Sequence, residues 1–333
     1  MKKSLLIQLV VLLVGGLIFA GYAAAASNPS PPPAKPVKLR AVTAFPKHLP
    51  QHAGFRAFVK MVEQELKDYV TIEYLGGSEV IPSFDQPESV SKGVVDLADT
   101  PASYIEPLVP ITRTIGLSNF TPWEDRERGV YDKWREVIED KLNIFYLCGD
   151  MVAAPYHLWT NFEVKTLDDL KGKIFRAAPA YVALYRALGI QPVTMSISDI
   201  YTAMERGVVN GFAAPSVGAT GFGWQEVTKY RINPGFYRPA IVMLLNLDKW
   251  KQLPAYVQGK LMEIAQQVER DTWNYHKNLI AEETAKQKKA GMTILELPPA
   301  VAEEFLRIAY DEAWKEVLRE DPELGPVFKN LLR

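Results

Sequence analysis

Apolar and polar residues alternate along Val37-Lys38-Leu39-Arg40-Ala41-Val42, the pattern of a half-buried strand. After a loop carrying Pro46 and Pro50, the residues Phe55, Phe58, Val59, Val62 and Leu66 recur at helical spacing and mark one apolar helix face. Alternation returns over residues 70–75 and stops at Gly76-Gly77. A short helix over 87–92 ends at Gly93, and residues 94–98 supply a third strand. The same order recurs downstream. Thr166-Leu167-Asp168-Asp169 resembles a capping box with Asp in place of Glu or Gln, and Gly172 is a natural helix stop. Residues 173–176 read as a strand, Val182 to Gly189 as a helix and its stop, and 192–195 as a second strand. Ser198 is the expected N-cap of a helix over 199–206, and a third strand begins at 208–211.

Each half is therefore a βαβαβ unit, whose parallel strands require crossover helices. The C-terminal third is helical: Val257, Leu261, Ile264 and Val268 open a periodic run over about residues 254–290. At 1.5 Å per residue such a helix is roughly 50 Å long, longer than one small lobe. A strand-like stretch at 292–297 and helices from 300 to about 320 follow. The expected fold class is α/β in two lobes of the periplasmic-binding-protein type, each a small, mostly parallel sheet with flanking helices, bridged by the long helix. Lobe I is expected over 37–153 with part of 242–283, and lobe II over 154–241 with part of 284–333. A cleft between such lobes suits ligand capture by hinge closure.

The N-terminus changes the compartment. Met1-Lys2-Lys3 precedes an apolar stretch over residues 5–20 and a small-residue run ending at Ala26, the form of a secretory signal peptide over 1–26. A proline-rich linker occupies 27–36. The protein is expected in the periplasm. Removing Lys2 and Lys3 from the 38 basic residues leaves 36 against 39 acidic ones, a mature charge near −3, which gives no global attraction for nucleic acid. The single cysteine, Cys148, cannot close an internal disulfide and sits in an apolar run, so it reads as a buried core residue.

Enzyme motifs are missing from the sequence: there is no G-x-S-x-G elbow, no phosphate-binding G-x-x-x-x-G-K-[ST] loop and no H-E-x-x-H pair. His48 and His52 have helical ligand spacing, but Pro50 between them argues against a metal site there, and no metal or cofactor is expected. Gly218, Gly221 and Gly223 read as a loop. Arg176 stands at the carboxyl end of the first strand of the second unit, followed by Ala177-Ala178-Pro179. In open parallel sheets ligands bind beyond that end. A guanidinium there, with small neighbours, can hold a carboxylate with two parallel hydrogen bonds. Position alone gives a structural salt bridge equal weight.

The segment over 167–215 resembles the DctP family, the solute-binding subunits of TRAP (tripartite ATP-independent periplasmic) transporters. The resemblance rests on Asp169-Leu170-Lys171-Gly172-Lys173-Ile174-Phe175-Arg176, Ala187-Leu188-Gly189-Ile190-Gln191-Pro192-Val193, Ser198-Asp199-Ile200-Tyr201-Thr202-Ala203-Met204 and Gly207-Val208-Val209-Asn210-Gly211. It implies two α/β lobes, a long bridging helix, an arginine matching Arg176 that pairs with the substrate carboxylate, and delivery of a small organic acid to membrane subunits. A monomer is expected. Where family members often carry Asp-Gly-x-Glu-Asn-Pro, this chain has Asn210-Gly211-Phe212-Ala213-Ala214-Pro215, so a ligand-binding asparagine is replaced by Ala214. Tyr156 stands where some members place a second arginine. Phe212, Trp224, Phe236 and Tyr237 fall in or near pocket-lining segments of relatives, and Phe45 or residues from Thr100 to Tyr104 are the expected contribution of lobe I. The resemblance thus implies a monocarboxylate with an apolar or aromatic tail, or a 2-oxo acid, rather than a sialic-acid-like sugar. The competing readings are a secreted α/β enzyme acting on organic acids and a sensory binding protein.

Overall fold

The computed structural model describes residues 31–150 and 153–333. The expected leader lies outside the described residues, as do Met151 and Val152.

Strand β1 (Val37–Thr43) leads through helix α1 (Ala53–Leu66) to β2 (Val70–Gly76), and helix α2 (Gln86–Ser91) leads to β3 (Leu97–Pro101). Helix α3 (Val130–Leu142) precedes β4 (Ile144–Gly149). The chain then crosses to β5 (Tyr156–Thr160) and to the second βαβαβ unit: β6 (Ile174–Ala177), α4 (Val182–Ala187), β7 (Gln191–Thr194), α5 (Ile200–Glu205) and β8 (Gly211–Pro215). Strands β9 (Tyr230–Phe236) and β10 (Ile241–Asn246) follow. Helix α6 (Leu247–Gln252), helix α7 (Ala255–Lys289), β11 (Thr293–Glu296), α8 (Pro299–Glu320) and α9 (Leu324–Leu331) complete the chain.

The strands form two sheets, ordered β2-β1-β3-β10-β4 and β11-β9-β5-β8-β6-β7. The two repeated units supply the parallel cores, β2-β1-β3 and β7-β6-β8. Both sheets are mixed, because β10 runs antiparallel to β3 and β4, and β5 runs antiparallel to β8 and β9. Strand β10 returns to the first sheet after the second is nearly complete, so three crossings, after β4, after β9 and along α7 to β11, join the lobes.

Local chemistry explains several boundaries. Thr166 and Asp169 make the reciprocal capping box and open a short 3-10 turn, Leu167–Leu170. The cap before α5 is Ser196, whose side chain accepts from the Ser198 backbone N–H, rather than Ser198 itself; a 3-10 turn (Ile197–Asp199) intervenes. The third strand of the first unit starts at Leu97 rather than residue 94, because Val94 is exposed and the paired stretch is the fully buried Leu97–Pro101.

One face of the first sheet packs Leu39, Ala41, Leu97, Leu147 and Met243 under α1 and the first half of α7. The other face is continuous with the core of the second lobe. Helix α7 has 35 residues and ties the lobes together. Its Glu269 pairs with Arg126 at 2.7 Å and accepts from the Gly149 backbone, while Gln287 accepts from Arg231 and donates to the Ser216 carbonyl. Cys148 is a buried free thiol. None of the helices among the described residues is long and apolar enough to cross a membrane.

Candidate ligand site

Between the sheets, beyond the carboxyl ends of their parallel strands, lies a cavity with about 440 Å³ free of protein atoms, part of it open to solvent. The first lobe contributes Phe45, Gln51, Pro101, Ser103 and Tyr104. The second contributes Tyr156, Arg176, Ala178, Tyr181, Ile197 and the run Ala213-Ala214-Pro215. The return crossing adds Pro239, Ala240 and Ile241.

Arg176 is positioned by its strand. It pairs in register with Val193 on β7 and Phe212 on β8, while Phe175 beside it points into the core. Its guanidinium is held on two sides: Nε donates to the Met195 carbonyl at 2.9 Å, and Nη1 donates to the Tyr181 hydroxyl at 2.5 Å. Tyr181 passes its own proton to the Ala213 carbonyl at 2.9 Å, which fixes that hydroxyl as an acceptor toward Arg176. Among the described residues Nη2 has no hydrogen-bond partner and Arg176 has no carboxylate partner, although the residue is only 2% exposed. Burial opposes the charge, and the titratable groups around it are the tyrosines 181, 104, 185 and 156. A buried cation without a counter-charge is costly. Because the lining holds no acidic side chain, the site itself leaves the opposite charge to be supplied by a ligand.

Around this cation the wall is aromatic and small. Tyr156 meets the edge of Tyr181 at 5.5 Å between ring centroids, and its hydroxyl makes no hydrogen bond among the described residues. Burial raises its pKa, so the hydroxyl is a neutral donor. The methyl groups of Ala213 and Ala214 leave room where longer side chains would fill the cavity.

The cavity thus brings together Arg176, Tyr156, Ala214, Phe45 and Tyr104. Five other residues expected at the pocket, Thr100, Phe212, Trp224, Phe236 and Tyr237, lie outside its lining. Thr100 is fully buried in β3 opposite Val242. Phe212 is sandwiched in the core by Trp159, at 5.8 Å and nearly parallel, and by Trp224. Phe236 packs behind the wall against Tyr156, Tyr181 and Phe305. Tyr237 sends its hydroxyl to the Ala309 carbonyl at 2.5 Å. Sequence reasoning missed Gln51 and Tyr181. Both sit in single 3-10 turns, Pro50–His52 and Pro179–Tyr181, where no periodic pattern marks an inward face. Tyr181 had one signal, its place in the turn that directly follows Arg176. Among the described residues no three His, Cys, Asp or Glu side chains converge to hold a metal ion.

Comparison with known proteins adds independent findings. Residues 41–321 match the model of DctP, bacterial extracellular solute-binding protein, family 7. A monocarboxylate 2-oxoacid-binding periplasmic protein of Nostoc sp. is 21% identical over 285 residues, covering 83% of this chain and 78% of that protein. The 2,3-diketo-L-gulonate-binding periplasmic protein of Escherichia coli is 28% identical over 139 residues, 40% of this chain and 41% of its own length. Among solved structures, a Bordetella pertussis extracytoplasmic solute receptor binding pyroglutamic acid superposes with a TM-score of 0.81 at 18% identity, covering 89% of this chain and 99% of that one.

Proposed function

The chain belongs to the DctP family of bacterial extracellular solute-binding proteins, and from that premise we propose that it is the extracytoplasmic receptor that captures a small monocarboxylate and hands it to the membrane subunits of a TRAP transporter. The family is one of receptors rather than enzymes, so the reading as a secreted enzyme is set aside. Residues 1–26 serve as the export signal in this reading, and the mature chain works as a monomer that closes on its ligand.

The observation that carries the proposal is the buried Arg176, anchored by Met195 and Tyr181 and left without a counter-charge at the cavity. A carboxylate would accept from Nη2 and from the Tyr156 hydroxyl, while Phe45, Ile197, Ala213 and Ala214 enclose the rest of the acid. The wall has no second cation and no acidic side chain, which suits a short acid with one charge rather than a large polyhydroxylated one. The Nostoc relative and the Bordetella receptor, a 2-oxoacid binder and a pyroglutamate binder, support an acid of this size.

A thermal-shift screen of organic acids identifies the ligand, since binding to the folded state raises the melting temperature. Calorimetry with that acid then tests Arg176. Hydrogen bonds to charged groups contribute roughly 1.5–3 kcal/mol, so Arg176→Ala is expected to weaken binding at least about tenfold. Unchanged affinity would overturn the assignment.

A further inference from the structure

The first lobe's side of the cavity carries a polar group whose direction is fixed. Gln51 is 2% exposed, and its Nε2 donates to the Val217 carbonyl of the second lobe at 2.9 Å. A carbonyl can only accept, so the amide cannot be flipped, and the cavity-lining residue keeps Oε1 as its free atom. That oxygen is buried and has no hydrogen-bond partner. Close approach depends on Gly218: with φ of +85° it favours glycine, and a Cβ there would lie 2.4 Å from Oε1. The Ser103 and Tyr104 hydroxyls line the same side and are likewise buried without partners. Hydroxyls can turn to donate or accept, but the Gln51 oxygen can only accept.

On the reading of the chain as an acid receptor, we infer that Gln51 selects acids carrying a hydrogen-bond donor away from the carboxylate, such as hydroxy acids and lactam or amino acids, over 2-oxo and unsubstituted acids. Arg176 supplies donors to the carboxylate, and Gln51 Oε1 requires a donor from the rest of the molecule. An oxo group there would set two acceptors against each other, and a methylene would leave the buried Oε1 unsatisfied. The inference narrows the alternatives open in the sequence by disfavouring the 2-oxo acid.

Matched acids test it by calorimetry on the full mature chain: lactate with pyruvate and propionate, and pyroglutamate with its N-methyl derivative. The expected result is that the tightest binder carries a donor and exceeds its donor-free partner at least about tenfold. Gln51→Leu removes both the acceptor and the bond to Val217. Loss of the interlobe bond should weaken all acids alike, whereas loss of the acceptor should collapse the ratio between donor-bearing and donor-free partners toward one. If acids bind but donor-free partners bind as tightly, or if Gln51→Leu preserves the ratio, the role of Gln51 is overturned while the receptor reading stands. If no acid binds, the receptor reading itself falls.

Discussion

Asp150 directly follows β4, the strand that leaves the first lobe, and its packing turns on one missing Cβ. A methyl group on Gly54, at the start of α1, would lie 1.7 Å from Asp150 Oδ2, so only glycine admits the carboxyl there. Asp150 and Asp99 are both fully buried, and none of their four carboxyl oxygens has a hydrogen-bond partner. Burial pushes both pKa values well up, and for Asp150 the neighbouring Asp99 and Glu269 push further in the same direction. The folded protein therefore retains a proton that the unfolded chain releases near the ordinary value of 3.8. Between that value and the raised one, stability must fall as pH rises. Asp150→Asn removes the Asp150 share of this linkage and leaves a donor for Asp99. Its melting temperature relative to the wild type is expected to climb as the pH rises above about 4; a difference independent of pH would refute the account. At this scale Arg176 was legible because a strand's carboxyl end gives a side chain a known direction. Gln51 was not, because a loop turn gives none and its partner Val217 is remote in sequence.

The elements divide the same way. The parallel strands and their crossover helices were legible because short-range periodicity and glycine stops mark them, as at Gly172, Gly189 and Gly207, each with positive φ. Strands β4 and β10 left no alternation to read: every residue of Ile144–Gly149 and Ile241–Asn246 is buried, and β10 finds β3 only after five of the six strands of the second sheet have intervened. The span of α7 was visible in its length, but its anchoring was not. The short helix Pro122–Glu127 carries Arg126, whose guanidinium meets Glu269 with both carboxylate oxygens and lies 3.6 Å from the Tyr131 ring centroid. Glu269 is buried and the Arg126 side chain is only 11% exposed, so removing the arginine strands the carboxylate. Arg126→Met is expected to cost about 3–5 kcal/mol of unfolding free energy in a denaturant titration. A loss below about 1 kcal/mol, the scale of a surface pair, would show that the pair does not hold the helix to the first lobe.

For the whole molecule, two sheets share one cavity at the place where the chain crosses between them. Arg238 on the return crossing is tied to Asp125 at 2.8 Å and to the carbonyls of Ile115 and Phe120, which fixes this side of the joint to the first lobe. Gln51 reaches Val217 across the cleft, so the lobes as described are closed around the site. On the proposed reading the acid's charge is answered from the second lobe and the rest of its polarity from the first, which would make closure the step that completes recognition. The most direct measurement is a crystal structure of the mature chain with the acid found by the thermal-shift screen. The account predicts the carboxylate within hydrogen-bonding distance of Arg176 Nη2, enclosed between the two sheets. An acid bound elsewhere, or bound in this cavity with its carboxylate turned away from Arg176, would contradict it.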